Sequence, residues 1–261
     1  MTANEMRYEF MVGYDKITNL AAPGYTDAEV SVLLNQAQEE FVKTTYHPLG
    51  NKYRQGYENT EKRRKDLSNL TSTANIQQYV TTTTYCHPNG RFYILPVDIL
   101  YAIQEEAVIS IDNECDSVTT TISLDRETGI STITVKDYTN LMRIPVKPIT
   151  HDDYNYIIKS PFKKPSKTKV LRLDYNDDNN MSLRTHELIT DGTYDVVRYF
   201  LRYIRKPVSI VVNRTNPLAM VDSELDSSVH REIISIAIRM ATGITKPEDY
   251  QIKTIEETKT E

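Results

Sequence analysis

The chain has no tryptophan, two cysteines and eight glycines in 261 residues. Cys86 and Cys115 stand alone, so no disulfide framework is expected and a reducing compartment is the simplest setting. So few glycines leave little room for phosphate-cradling loops, and no GxGxxG, Walker or GxSxG pattern occurs. No run approaches the ~18 consecutive apolar residues of a membrane span. The opening stretch "MTANEMRYEF" has no basic region ahead of an apolar core, so it does not read as a signal peptide. An excess of positive charge is also missing. The formal net charge is -5, and cations and anions number 9 and 10 over 1–72, 16 and 17 over 73–212, and 6 and 9 over 213–261. The diffuse basic footprint of a nucleic-acid binder is therefore excluded.

What is present is a change of period along the chain. Residues 1–72 read as helical. Met6, Phe10, Tyr14 and Ile17 recur every three or four positions, and "AAPGY" (21–25) interrupts them. Thr26 and Glu29 have capping-box spacing ahead of the stripe Val30, Leu33, Leu34, Ala37, Phe41 and Val42. A third helix is expected over Tyr57 to Leu70. From Thr73 to Val212 β-branched residues and tyrosine dominate, with turn signals every 8–15 residues. "HPNG" (87–90) and "DRETG" (125–129) mark two hairpins, and "ITHDDYNYIIKS" marks a short helix capped by Thr150. The helical period returns over 213–261, where Asp226 or Ser227 can cap a helix carrying Val229, Ile233, Ile236, Ala237 and Met240. The pattern predicts an α+β chain. N- and C-terminal helices (1–72 and 213–261) form a platform, and 73–212 is a large inserted antiparallel β domain, a sandwich or barrel.

Candidate chemistry is sparse. The five histidines, His47, His87, His151, His186 and His230, show no metal-ligand spacing with one another or with a cysteine. Cys86 and His87 are neighbours on a strand, so their side chains point to opposite faces and cannot act as nucleophile and base. "DYNDDNN" (174–180) opens like a calcium loop, but Asn179 takes the glycine position and Thr185 the glutamate position, so it reads as a polar turn. No catalytic residue, cofactor or metal is expected. "KSPFKKPSKTK" (159–169) holds five lysines and one aromatic, and reads as an exposed loop that is solvated or faces a partner, with nucleic-acid phosphate as the lesser alternative. The run Lys62–Arg63–Arg64–Lys65 lies between Glu61 and Asp66. On a helix four consecutive residues spread around the axis, and Glu58→Lys62 and Glu61→Lys65 have the spacing of supporting i,i+4 pairs.

Three segments together, "MVGYDKITNLAAPGYTDAEVSVLLNQAQEEFVKTTY", "YENTEKRRKDLSNL" and "ELDSSVHREIISIAIRMATGI", resemble the head-to-tail connector ring proteins of crAss-like bacteriophages, most closely the first ring below the portal. The resemblance implies a structural virion protein, not an enzyme. It implies a ring of about twelve copies, docked on the portal and passing the DNA channel to the next ring or tail proteins. DNA is only passing content, no membrane is involved, and assembly takes place in the host cytoplasm. In that setting Glu61, Lys62, Arg63, Arg64, Lys65 and Asp66 are candidates for contacts with a neighbouring subunit or ring, with His230, Arg231 and Arg239 as further interface candidates. The competing readings are a cytoplasmic β-sandwich interaction or carbohydrate-binding module with a helical collar, and a phage-encoded hydrolase.

Overall fold

The computed structural model describes residues 1–18, 24–47, 56–76, 78–79, 87–110, 118–122, 133–137, 141–176 and 184–245. Both cysteines, the "DRETG" turn and most of the "DYNDDNN" turn lie outside these. The architecture is α+β with an inserted β domain. Met1–Thr71 and Lys206–Glu261 form one compact unit, and Ser72–Arg205 forms the other.

The helical unit contains α1 (Ala3–Thr18), α2 (Asp27–Tyr46), α3 (Glu61–Asp66) and, from the C-terminal part of the chain, α5 (His230–Thr245). Met6, Phe10 and Tyr14 are fully buried on α1, and the α2 stripe from Val30 to Val42 is buried as its period requires. Thr26 and Glu29 close the capping box reciprocally at the start of α2. Phe10, Tyr14 and Tyr25 form an aromatic cluster with ring centroids 5.0–6.1 Å apart. Tyr25 donates from its hydroxyl to the Ala241 carbonyl of α5, and burial pushes its pKa up to about 12. The helix expected over Tyr57 to Leu70 is divided into a 3-10 turn, α3 and a second 3-10 turn. Thr60 caps α3 through Arg63 N–H, and Tyr57, Leu67 and Leu70 are all buried.

The second unit holds an eight-stranded sheet and a separate ribbon. Its strands are β1 (Thr71–Ile76), β2 (Gln78–Tyr79), β3 (Gly90–Ile94), β4 (Ile99–Ser110), β7 (Leu141–Pro148), β8 (Val170–Asn176), β9 (Arg184–Ile189) and β10 (Asp195–Arg205). They lie in the order β1-β10-β4-β7-β8-β9-β3-β2, while β5 (Val118–Ile122) and β6 (Ile133–Asp137) pair with each other. One pair departs from the antiparallel expectation. β7 and β8 run parallel, joined by α4 (His151–Lys159), because a parallel pair needs a crossover and this short helix supplies it. Thr150 caps α4 through Asp153 N–H.

β8 shows how the sheet separates its faces. Leu171 and Leu173 point to one side with Ile189, where Tyr154 and Ile157 of α4 cover them. Val170 points to the other side, into the main core of Tyr93, Ile109, Ile144, Leu188, Tyr199 and Leu201. The "HPNG" turn is fixed by a buried carboxylate. Glu187, fully buried on β9, accepts from His87 N–H at 2.8 Å and lies 2.8 Å from His87 Nδ1. A Cβ at Gly90 would collide with that carboxylate, so the glycine is required by space, while the left-handed residue of the turn is Asn89, with φ 61°.

Candidate assembly surface

One face of α2 is polar, and it reads a backbone. Asp27, Ser31, Asn35 and Gln38 share that face. Along it runs an extended strap, with the Arg214 N–H on Asp27, Val212 N–H on Ser31, Ile210 N–H and C=O on Asn35, and the Val208 carbonyl accepting from Gln38. The match has a metric cause. Two residues of extended chain advance ~6.7 Å, and four residues of helix advance ~6 Å. Every second strap residue therefore meets the next polar side chain of α2. The intervening Val211 exchanges both backbone bonds with Val221 instead. Beyond the strap, Asn213 and Asn216 side chains hold a turn whose Leu218 is 97% exposed.

The cation run lies on α3 in the same unit, and its members go to different places. Lys62 pairs with Glu232 of α5 at 3.2 Å. Glu58 precedes α3, so the helical spacing expected of Glu58 and Lys62 does not arise. Arg63 donates to the Thr45 carbonyl in the last turn of α2, where the helix dipole favours a cation. Asp66 is 4% exposed, and burial raises its carboxyl above the ordinary range. Glu61, Arg64 and Lys65 are exposed, and among the described residues Arg64 and Lys65 have no ion-pair partner. The stretch Glu61 to Asp66 is thus half internal staple and half open surface, as the spread of consecutive residues around a helix dictates.

The α5 candidates also divide. His230 is buried, with Nε2 3.0 Å from the Leu225 carbonyl. Arg239 binds Glu40 of α2 at 2.6 Å, with its side chain 16% exposed. Arg231 is open, 3.8 Å from Glu9. His230 and Arg239 therefore serve the helical unit's own interior, a placement that charge and period alone did not separate from interface use.

In the β unit the ionisable groups that converge are locked to one another. Asp174 lies 3.1 Å from His186 Nε2, and His186 Nδ1 lies 2.8 Å from the Tyr199 hydroxyl. Tyr199 donates to Glu105 at 2.8 Å, Glu105 pairs with Arg172, and Arg172 reaches back to Asp174 at 3.3 Å. The His186 contact holds Asp174 below the ordinary carboxylate range, and burial pushes the Tyr199 hydroxyl far above its own. A cavity of about 380 Å³ beside this ring is lined by Leu95, Asp174, Tyr175, Arg184, Thr185 and His186. Among the described residues no cluster of ligands fit for a metal ion occurs, and no helix is long and apolar enough to cross a membrane.

The sequence model of the phage tail ring protein 3/4 family matches residues 1–251. The chain belongs to that family. It is 30% identical over 253 residues to ring protein 4/5 of Bacteroides phage crAss001, covering 92% of each chain. It is 29% identical over 244 residues to ring protein 3 of the same phage, covering 89% of this chain and 93% of the relative. The family membership agrees with the resemblance to crAss-like ring proteins, but the matched relatives are ring proteins 3 and 4/5, where the resemblance pointed to a first ring. The similarity takes in the whole β unit, which the three resembling segments did not reach. A ring protein of this family is a structural virion component that associates with itself and with other tail proteins.

Proposed function

We propose that the chain is the repeating subunit of a ring in the head-to-tail connector of a tailed phage, with about twelve copies around the DNA channel. Its axial partners are the rings above and below it. Direct docking on the portal is the competing position, and the likeness to ring proteins 3 and 4/5 favours a place further along the stack. The observation that carries the reading is the similarity to ring proteins along nearly the full length of both chains. The charges of the polar ring around His186 pair with one another, which supports a structural role. DNA passes through without being held, which suits a chain in which none of the three parts 1–72, 73–212 and 213–261 has net positive charge.

Arg64 and Lys65 are the open cations of α3, and we assign them to the contact with a neighbouring subunit, where complementary charge sets register. The test is native mass spectrometry of the wild-type chain and of Arg64→Glu/Lys65→Glu, each expressed with its neighbouring ring proteins. Wild type is expected in closed rings, and the variant as folded monomers with an unchanged circular dichroism spectrum. A wild-type chain that stays monomeric under these conditions overturns the ring reading. Intact variant rings overturn the assignment of Arg64 and Lys65.

A further inference from the structure

The connection between α4 and β8 is an ordered knuckle that, with Lys159 at the end of α4, carries five positive charges and no negative one in eleven residues. Residues 159–169 hold five lysines and no acid, so a chain of formal charge -5 carries -10 outside this segment. The backbone is tied down throughout. Lys164 N–H donates to the Ser160 carbonyl at 3.0 Å, Ser166 and Lys169 exchange backbone bonds, and the Tyr194 hydroxyl donates to the Ser166 carbonyl at 2.7 Å. Pro165 is buried beneath it. At the tip Phe162 is 90% exposed, and nearby on α4 Tyr156 is 67% exposed, with the Lys163 ammonium 5.1 Å from its ring centre. A rigid turn that holds a phenylalanine in water gains nothing within its own fold. It does have the form of an interface anchor, an aromatic side chain already ordered and rimmed by charge.

The lysines indicate what the anchor meets. Lys169 is committed to the Phe162 carbonyl at 2.6 Å, and Lys163 to Tyr156. Lys159, Lys164 and Lys167 remain for a partner, too few neutralised phosphates for usable duplex binding at physiological salt. Duplex DNA seats a phenylalanine only by unstacking a base step, at a cost of about a few kcal/mol. A protein surface that is acidic overall satisfies both features, and the remainder of a second copy of this chain is such a surface. We propose that the Phe162 knuckle of one subunit docks on an adjacent copy in the ring, with Phe162 as the apolar anchor and Lys159, Lys164 and Lys167 as the steering rim. This rests on the ring reading above and adds the surface that closes the ring.

The test replaces Phe162 by the photo-crosslinker p-benzoylphenylalanine in a mixture of isotopically light and heavy full-length chains, expressed with the neighbouring ring proteins. Alongside it, native mass spectrometry compares wild type with Phe162→Ala and with Lys159→Glu/Lys164→Glu/Lys167→Glu. The expected results are light–heavy crosslinked pairs of this chain and association weakened about 30-fold by Phe162→Ala. Folding should be unchanged, because every substituted side chain projects from the knuckle's surface. Crosslinks confined to DNA or to a different virion protein overturn the proposal, as do wild-type rings that both variants form equally well. If wild type itself forms no ring, the ring reading falls and takes this inference with it. Wild-type rings beside unaffected variants sink the knuckle alone.

Discussion

Asn35→Ala is the sharpest perturbation of the helical unit. Asn35 accepts from the Ile210 N–H at 2.8 Å and donates to the Ile210 carbonyl at 2.9 Å. Ile210 is fully buried, so water cannot replace either bond without opening the strap. Each orphaned backbone group costs about 1–3 kcal/mol, giving about 2–6 kcal/mol for the pair. Against a total stability of about 5–15 kcal/mol, that is a large fraction. The loss should be local first, because Gln38 and Ser31 still hold Val208 and Val212 on either side. Hydrogen exchange read by mass spectrometry on the peptide spanning 206–214, together with urea unfolding, measures both effects. Exchange at Ile210 should accelerate by roughly one to four orders of magnitude, at ~1.4 kcal/mol per factor of ten. Asn35→Asp keeps the acceptor and loses the donor, so it should fall between wild type and Asn35→Ala. A change in unfolding free energy below about 0.5 kcal/mol, with unaltered exchange, would refute the strap's dependence on the α2 ladder.

Further outcomes follow from the perturbed ionisable groups. Tyr199→Phe leaves Glu105 and His186 each short of a partner in the main core, and should lower stability by about 2 kcal/mol in urea unfolding. No measurable loss would show the ring to be slack. Burial raises the Asp66 carboxyl, so the folded chain favours its protonated form. That contribution is fully present below the ordinary aspartate value near ~3.9 and is lost as pH rises through the raised value. Wild type should therefore gain stability relative to Asp66→Asn on acidification across that window, and melting temperatures that run parallel would contradict it. Asp174 works in the opposite sense. Its depressed carboxyl contributes stability above the ordinary range that is lost as pH falls through the lowered value, and Asp174→Asn should flatten the acid limb of the melting curve.

The legible features of the chain are those set by local chemistry. The Thr26–Glu29 box and the Thr150 cap each depend on residues within four positions of one another, and each forms as the sequence predicts. The α5 stripe was legible too, although its helix begins at His230 after a turn in which Asp226 accepts from Ser228 N–H. Features set by distant partners were not legible. Periodicity identified α4 but not its use as a crossover, because strand direction depends on which neighbour β8 meets. The charges of Lys62, Arg63 and Arg239 signalled polarity without revealing that their partners sit on α5 or α2. The α2 ladder was the missed signal. Asp27, Ser31, Asn35 and Gln38 at helical spacing, set against an extended run from Val208 to Asn213, are the two halves of the strap.

The central claim is that this chain becomes a working object only as a ring. A cryo-EM reconstruction of the connector in intact virions measures this directly, through whether the helical unit and the eight-stranded sheet can be fitted into one rotationally repeated layer around the DNA channel. The account predicts a single ring of about twelve such subunits, with Arg64, Lys65 and the Phe162 knuckle at contacts between neighbours. A virion map in which every ring is accounted for by other chains would contradict it, as would density for this chain only as isolated copies away from the channel axis.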